Sequence, residues 1–296
     1  MAATSVALVL LSAFLHALWN YYSKANRSPQ IFLFWVGVLT VGMAIGAFAI
    51  KTPIVPQPVW TFIIASGVVH FLYWFSLSKG YTSGDISYVY PIARSAPGFI
   101  PLFAFLLLQE SISVQGLVGI FCIVVSIYLL QQREDGMAFR DLIRYMRRPD
   151  AAWAFSTLGT VIAYSLIDKK GMSEFYAHTS QTLVWQAVIY YLLQGAIAML
   201  LYGVFIIYRF PRSEITEIGR RHWKRIMVTA MLVMISYSLI LYVMMTEKVS
   251  YIVALRQCSV IFAVLLGTYI LEESHAKLRL TAAVVMVVGV LLTSTA

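Results

Sequence analysis

Two arginines lie inside long apolar segments of the sequence, Arg94 in the segment 86–108 and Arg256 in the segment 250–271. A charge in the hydrocarbon of a membrane costs at least ~2.5 kcal/mol on insertion scales, so an arginine there marks a functional site by default. Its planar guanidinium can hold a carboxylate or a phosphate through two parallel hydrogen bonds. We therefore predict that Arg94 contacts an anionic group of a substrate, with Arg256 as the weaker candidate.

Three prolines interrupt the segment that carries Arg94, namely Pro91, Pro97 and Pro101. Each proline removes a backbone donor and strains a helix. A broken helix survives in a membrane where the freed carbonyls meet protein or water, so this segment is predicted to line a cavity. The alternative is a kinked packing helix in which Arg94 snorkels, or pairs with a neighbour or with a carbonyl that a proline has freed.

Further polar and aromatic side chains recur at helical spacing within the apolar segments. Ser12, His16, Asn20 and Lys24 are each four residues apart and so share one face of a helix. Such a ladder must face protein or water, either as a substrate site or as interhelical hydrogen bonds worth ~0.6 kcal/mol each. The full set of candidate substrate-binding residues is His16, Trp19, Asn20, His70, Trp74, Tyr88, Tyr90, Arg94, Tyr164, Tyr237, Tyr251, Arg256 and Gln257.

The acidic residues are all predicted to lie in loops or within about a turn of the end of an apolar segment, as Asp168 does at the end of 151–168. A multidrug-cation exporter that works through a buried carboxylate needs an acid at mid-membrane, so this pattern argues against that class. His16 and His70 are then the intramembrane groups that titrate near neutral pH, either for proton coupling or as structural hydrogen-bonding residues. No spacing of residues predicts a metal site, a nucleophile or a phosphate-binding loop, so we expect no enzyme, no catalytic residue and no cofactor.

The composition identifies the chain as a membrane protein that crosses the bilayer several times. Of its 296 residues 60% are hydrophobic and only 12% are charged, whereas a soluble domain has about 25% charged residues. Apolar runs long enough to span a bilayer predict ten transmembrane helices. They lie near residues 4–23, 30–50, 58–77, 86–108, 114–131, 151–168, 178–208, 226–245, 250–271 and 279–296.

The loop charges predict the orientation of these spans. Loops on one side of the membrane hold sixteen Lys and Arg residues, and loops on the other side hold four. The positive side faces the cytoplasm, so both termini are predicted outside and the linker 132–150 in the cytoplasm. The net charge of +9 is therefore explained by topology, and no nucleic-acid partner is expected.

The two halves of the sequence repeat each other at an offset of 163 residues, where Ser87-Tyr88 falls on Ser250-Tyr251 and Leu108-Gln109-Glu110-Ser111 on Leu271-Glu272-Glu273-Ser274. Glu110 and Glu273 then occupy equivalent turns, where we predict helix-end capping or pairing with loop Lys and Arg residues. Each half, 1–131 and 151–296, contains five spans. An odd number inverts the second half in the membrane, an arrangement typical of secondary transporters with a site between the repeats.

These motifs resemble the EamA-type family of the drug/metabolite transporter superfamily. The resemblance rests on the two Leu-x-Glu-Ser boundaries, on His16-Ala17-Leu18-Trp19-Asn20 with Lys24, and on Tyr90-Pro91-Ile92-Ala93-Arg94 and Ala254-Leu255-Arg256-Gln257-Cys258-Ser259. It implies an all-α membrane protein with a central cavity walled by helices 1, 3, 4, 6, 8 and 9. The polar stripe of the seventh span, Thr182, Gln186, Tyr190 and Gln194, is then expected to serve packing.

The favoured function is an alternating-access transporter or exporter of a small polar, anionic metabolite, such as an amino acid, an organic acid or a phosphorylated or phosphonate compound. The alternatives are a protein that moves or binds a lipid phosphate or head group, and a broad-specificity drug exporter. The expected partners are a small-molecule substrate and the lipid bilayer. The protein is expected in the cell (inner) membrane, as a monomer or a homodimer.

Overall fold

A computed structural model of the chain describes residues 1–24, 28–83, 92–131, 147–148, 151–262 and 276–296. These residues form helices and loops and contain no β-strand. The helices are α1 (Ala3–Lys24), α2 (Pro29–Ile50), α3 (Gln57–Ser83), α4 (Ala96–Leu108), α5 (Val114–Gln131), α6 (Ala151–His178), α7 (Leu183–Arg209), α8 (Arg212–Met244), α9 (Val249–Arg256) and α10 (Ala276–Ser294).

Six of the described helices, α1, α2, α3, α6, α7 and α8, are long and apolar enough to cross a membrane. The other described helices are shorter and also apolar. The described part of the chain is therefore helical, as predicted, while the prediction of ten spans stays a prediction. Most of the linker 132–150 lies outside the described residues.

Several helices extend well beyond the predicted spans. Helix α6 continues ten residues past the predicted end at Asp168 and ends at His178, and α8 begins at Arg212 rather than near residue 226. Hydropathy detects only the apolar part of a helix. Lys, Glu and Arg are good helix formers, so the helix can continue through charged residues beyond that part. The predicted limits at Asp168 and at residue 226 are therefore limits of the apolar run, and the helices continue beyond them.

The described chain divides into two compact units, each of which combines residues from both predicted halves. The first unit comprises Met1–Leu10, Leu72–Leu166 and Glu247–Ala296. The second unit comprises Leu11–Phe71 and Ile167–Thr246. Helices α1, α3 and α6 each contribute residues to both units.

In the second unit, α2, α7 and α8 pack against one another. The core between α2 and α8 is formed by Phe32, Val36, Ile226 and Ala230, all of which are buried. Close to this core the indole of Trp35 donates a hydrogen bond of 2.8 Å to the carbonyl of Ile215. A polar tie of this kind satisfies the indole N–H inside an otherwise apolar interface.

In the first unit, α5 and α10 pack closely through small residues. A Cβ built on Gly119 would lie 2.8 Å from the carbonyl oxygen of Gly289, and one built on Gly289 would lie 2.7 Å from that of Gly119. Further along, Ser126 donates a hydrogen bond of 2.6 Å to the carbonyl of Ala282. As the residue number rises along α5 it falls along α10, so the two helices are antiparallel.

These two contacts are equivalent under the repeat. At the offset of 163 residues, Gly119 corresponds to Ala282 and Ser126 corresponds to Gly289. The Gly119–Gly289 contact therefore maps onto the Ser126–Ala282 contact. Reciprocal contacts of this kind are the signature of a two-fold relation between the paired elements, and they fit the two-repeat architecture.

A carboxylate just after α4 accepts hydrogen bonds from the first turn of α9. Helix α4 ends at Leu108, and the following residue, Gln109, has a φ of 55°, which places it in the left-handed region. The next residue, Glu110, accepts hydrogen bonds from the backbone N–H of Val249 at 3.1 and 3.3 Å. Of the two predicted roles, helix-end capping or pairing with loop Lys and Arg residues, the first is observed for Glu110, at the start of α9. Glu273 lies outside the described residues.

Candidate functional site

A buried carboxylate forms the centre of a polar cluster in the second unit. Asp168 on α6 has no exposed surface. Its Oδ1 lies 2.5 Å from Ser66 Oγ on α3 and accepts a hydrogen bond of 3.2 Å from the hydroxyl of Tyr190 on α7. Its Oδ2 accepts a hydrogen bond from the hydroxyl of Tyr237 on α8. Three neighbouring helices therefore each supply a hydroxyl to one carboxyl group.

The cluster extends from Ser66 to two further side chains. Ser66 Oγ lies 2.7 Å from Gln194 Oε1 on α7 and 3.2 Å from His70 Nδ1, one turn along α3. The same Nδ1 lies 2.9 Å from the carbonyl oxygen of Ser66. Ser66 and Gln194 are almost fully buried, whereas His70 is half-buried. His70 therefore lies at the edge of the cluster and is more exposed than Ser66 and Gln194.

Two glycines let the helices approach closely enough for short side chains to meet. A Cβ on Gly67 would lie 2.9 Å from the carbonyl oxygen of Gln194, so α3 and α7 touch next to Ser66. A Cβ on Gly171 would lie 2.6 Å from the Tyr190 hydroxyl, so α6 and α7 touch one turn beyond Asp168. A larger residue at either position would push apart the helices that carry the cluster.

This arrangement corrects the expectation that every acid lies in a loop or within about a turn of the end of a span, since Asp168 is fully buried and lies ten residues before the end of α6. The run Asp168-Lys169-Lys170-Gly171 reads as a loop by its charge and its glycine. In the structure it continues α6, and Lys169 turns away from Asp168 to donate to the carbonyl of Met244 at 2.8 Å, at the end of α8. A cation is favourable there because the last carbonyls of a helix carry partial negative charge.

Of the predicted site residues, His70 and Tyr237 are brought together in this cluster. Their rings meet edge to face with centroids 5.4 Å apart. Asp168, Ser66 and Gln194 were absent from the predicted site, and Tyr190 and Gln194 were expected only to pack. The sequence feature that could have indicated the cluster is the pair Ser66 and His70 at i and i+4. Two polar groups one turn apart on an apolar helix require a polar partner.

In the first unit, Arg94 lies where the helical path of the chain is interrupted. Residues 92–94 are helical, Ser95 forms a turn with φ of −78° and ψ of 0°, and α4 begins at Ala96. The half-buried guanidinium donates from one nitrogen to Gln257 Oε1 at 3.3 Å and to Ser259 Oγ at 3.4 Å. Gln257 follows the last residue of α9, and residues 258–262 are helical again.

The remaining predicted residues fall into small local groups. On α1, in the second unit, the rings of His16 and Trp19 meet edge to face at 4.9 Å, and Asn20 donates to the carbonyl of His16 at 2.7 Å. In the first unit, Tyr73 lies between Trp74 and Tyr164, with ring centroids at 5.5 and 5.7 Å. The ring of Tyr73 thus links these two predicted residues.

Tyr251 and Arg256 lie at opposite ends of α9. Tyr251 is buried against Gly116 on α5, and its hydroxyl accepts the backbone N–H of Ser113 at 3.4 Å. Its contacts are those of a packing residue. Arg256 is the last residue of α9 and is half-buried. Tyr88 and Tyr90 lie outside the described residues.

A family model for EamA-like transporters matches residues 3–131 and 151–295, which is nearly the whole chain. The chain belongs to the EamA-like transporter family. It is thus a membrane transporter of the drug/metabolite superfamily, as the sequence motifs indicated. Within the described residues of this EamA-like protein, no group of His, Cys, Asp and Glu side chains is arranged to hold a metal ion.

The fold of this EamA-like protein is also found in a solved crystal structure. The similarity has a TM-score of 0.72 over 100% of this chain and 98% of the other chain, at 15% sequence identity. At that identity the likeness concerns the fold alone. No curated protein matches the sequence.

Proposed function

We propose that the protein is an alternating-access secondary transporter of a small polar metabolite that carries a carboxylate or a phosphate, and that Arg94 contacts this anionic group. The observation that carries the proposal is the position of Arg94 just before the helix interruption at Ser95, together with its hydrogen bond to Gln257, where the second helix tightens into i→i+3 hydrogen bonds. Transporters with inverted repeats bind their substrates where such helices are discontinuous. An arginine there offers several donors to an oxyanion.

The surroundings of Arg94 support a ligand-binding role. Two of the side chains that it contacts, Gln257 and Ser259, are buried, and both contacts are long for N–H···O bonds. A substrate oxyanion can form charge-assisted bonds to the guanidinium that are stronger than these bonds to an amide and a hydroxyl.

A second candidate function follows from Asp168. A fully buried carboxylate lined by Tyr190 and Tyr237 is also a feature expected of a broad-specificity exporter of organic cations, since aromatic faces and a carboxylate both attract cations. The argument against this class, that no acid is buried, no longer holds.

The test is transport by the purified protein in proteoliposomes. The labelled probes are an amino acid, a dicarboxylic acid, a phosphorylated compound, a phosphonate, and a quaternary ammonium cation. Saturable uptake of one of the acids, absent from protein-free liposomes, is the expected result. Uptake of the cation alone would favour the drug exporter, and movement of a labelled anionic lipid alone would favour a lipid-handling protein; either result overturns the proposal.

A further inference from the structure

The hydrogen atoms around Ser66 do not suffice for an ionised Asp168 as the side chains are placed. Ser66 Oγ lies 2.5 Å from Asp168 Oδ1 and 2.7 Å from Gln194 Oε1, and both of these oxygens are acceptors when Asp168 is a carboxylate. A hydroxyl has one hydrogen, so it can donate to only one of them. The other pair of oxygens would then face each other at hydrogen-bond distance with no hydrogen between them.

One additional proton on Asp168 resolves this conflict. Asp168 then donates from Oδ1 to Ser66 Oγ, and Ser66 donates its own hydrogen to Gln194 Oε1. Oδ2 becomes the carbonyl oxygen of the acid and accepts the hydrogen bond from Tyr237. Every short contact in the cluster now has a hydrogen, which buried polar groups require. A neutral acid also avoids an isolated charge in the hydrocarbon.

We propose that Asp168 is a proton-binding site of this transporter, protonated in the arrangement seen here, and that it releases and rebinds a proton during transport. The coupling role rests on the proposed function as a secondary transporter. Protonation at rest does not depend on it, since it follows from the contacts of Ser66 with Asp168 and Gln194.

His70 is placed to influence the release of the proton. Its Nδ1 lies 2.9 Å from the carbonyl oxygen of Ser66, which can only accept, so the neutral ring carries its hydrogen on Nδ1, and Nε2 is the nitrogen that can bind a further proton. Uptake of a proton from solvent at Nε2 makes His70 a cation near Asp168, which favours the carboxylate form of Asp168 and the release of its proton.

Each helix packed against Asp168 contributes a group that affects its charge. The titratable groups facing it are His70 on α3, Tyr190 on α7 and Tyr237 on α8, and His70 interacts with it electrostatically. On its own helix, Lys169 donates to the carbonyl of Met244. Of these groups His70 alone titrates near neutral pH in its ordinary form, so its charge can change while Asp168 gains or loses a proton.

The decisive experiment is infrared spectroscopy of the purified protein at neutral pH. A protonated carboxyl group has a C=O stretching band well separated from that of a carboxylate. We expect this band in the wild type, its loss in Asp168→Asn, and its retention in Glu174→Gln, which removes an ion-paired carboxylate from the same helix. Absence of the band, or its persistence in Asp168→Asn, would overturn the proposal. An amide of Gln194 turned to donate to Ser66 would allow an ionised Asp168 and would give the first of these results.

A second variant tests the site without removing the carboxyl group. Because Tyr237 donates to Oδ2, Tyr237→Phe should shift the carboxylic acid band to higher frequency without abolishing it. The matched control is Tyr191→Phe, which removes another buried tyrosine hydroxyl, one that contacts Thr40 at 3.4 Å. Equal effects of the two substitutions would contradict the assignment.

The coupling is tested in proteoliposomes with any acid that the transport assay shows to be carried. An imposed pH gradient should drive the wild type to accumulate this acid, whereas Asp168→Asn should only equilibrate it. Accumulation by Asp168→Asn, or none by the wild type, would overturn the coupling. Failure of every solute in the transport assay would count against the proposed function and would leave the infrared result unaffected.

Discussion

Arg94 donates a hydrogen bond to Gln257, and the two residues are 163 positions apart, which is the offset of the internal repeat. Each therefore contacts the residue that occupies its own position in the other half. Two equivalent residues can touch in this way only close to the axis that relates the repeats. The same offset relates the Gly119–Gly289 contact to the Ser126–Ala282 contact. The repeats differ in chemistry where they meet, with a cation in one and a neutral amide in the other.

Replacing Arg94 tests whether its charge serves a substrate. Losing a charge-assisted hydrogen bond costs ~1.5–3 kcal/mol, so Arg94→Gln should weaken the apparent affinity for a transported acid at least about tenfold. Arg94→Lys should recover little if the anion is held by both arms of the guanidinium, and most of the affinity if only the charge matters. Uptake in proteoliposomes measures both effects.

The control for this series is Arg220→Gln, which removes an exposed arginine from α8. It should leave uptake unchanged. If Arg94→Gln folds and transports like the wild type, Arg94 has a structural role and no longer supports the proposal of an anionic substrate.

The cap on α9 should contribute measurably to stability. Glu110 accepts the backbone N–H of Val249 at the first turn of this helix, where a negative charge is also favoured by the helix dipole. Replacing a helix cap by alanine costs ~1 kcal/mol, so Glu110→Ala should lower the melting temperature in detergent. Glu217→Ala is the comparison, because Glu217 makes only an exposed contact of 4.0 Å with Arg221 and such pairs contribute little. Equal melting temperatures for the two variants would argue against the cap.

The sequence predicted the helical class and the family, and it gave capping as one of two roles for Glu110, because these depend on local composition and on motifs repeated along the chain. It did not predict the Asp168 cluster. Asp168 is followed by two lysines and a glycine, and hydropathy cannot distinguish a loop from a helix that continues with charged residues. The partners Ser66, Tyr190 and Tyr237 are far away in sequence and meet Asp168 only through helix packing. That packing depends on Gly67 and Gly171, which the sequence shows only as glycines.

The orientation in the membrane remains a prediction from the loop charges, sixteen Lys and Arg on one side and four on the other. The side with more positive charges stays in the cytoplasm. A reporter that is active only outside the cytoplasm should therefore work when fused after Ala296 and fail when inserted within 132–150. Activity of the inserted reporter together with inactivity of the terminal fusion would reverse the orientation.

The contact between α5 and α10 should tolerate no side chain at Gly119. A Cβ there would lie 2.8 Å from both the carbonyl oxygen of Gly289 and the backbone nitrogen of Thr293, and backbone atoms cannot move aside as a side chain can. Overpacking of this kind costs about 1–3 kcal/mol, so Gly119→Ala should lower the melting temperature although alanine is the better helix former. Gly42 on α2 is the matched control, since a Cβ there meets nothing within 4 Å. Gly42→Ala should therefore leave the melting temperature unchanged or raise it, because the gain in helix propensity is not offset by a clash. Thermal unfolding of the two variants in one detergent measures the difference, and a melting temperature of Gly119→Ala equal to that of Gly42→Ala would mean that the two helices are not in backbone contact.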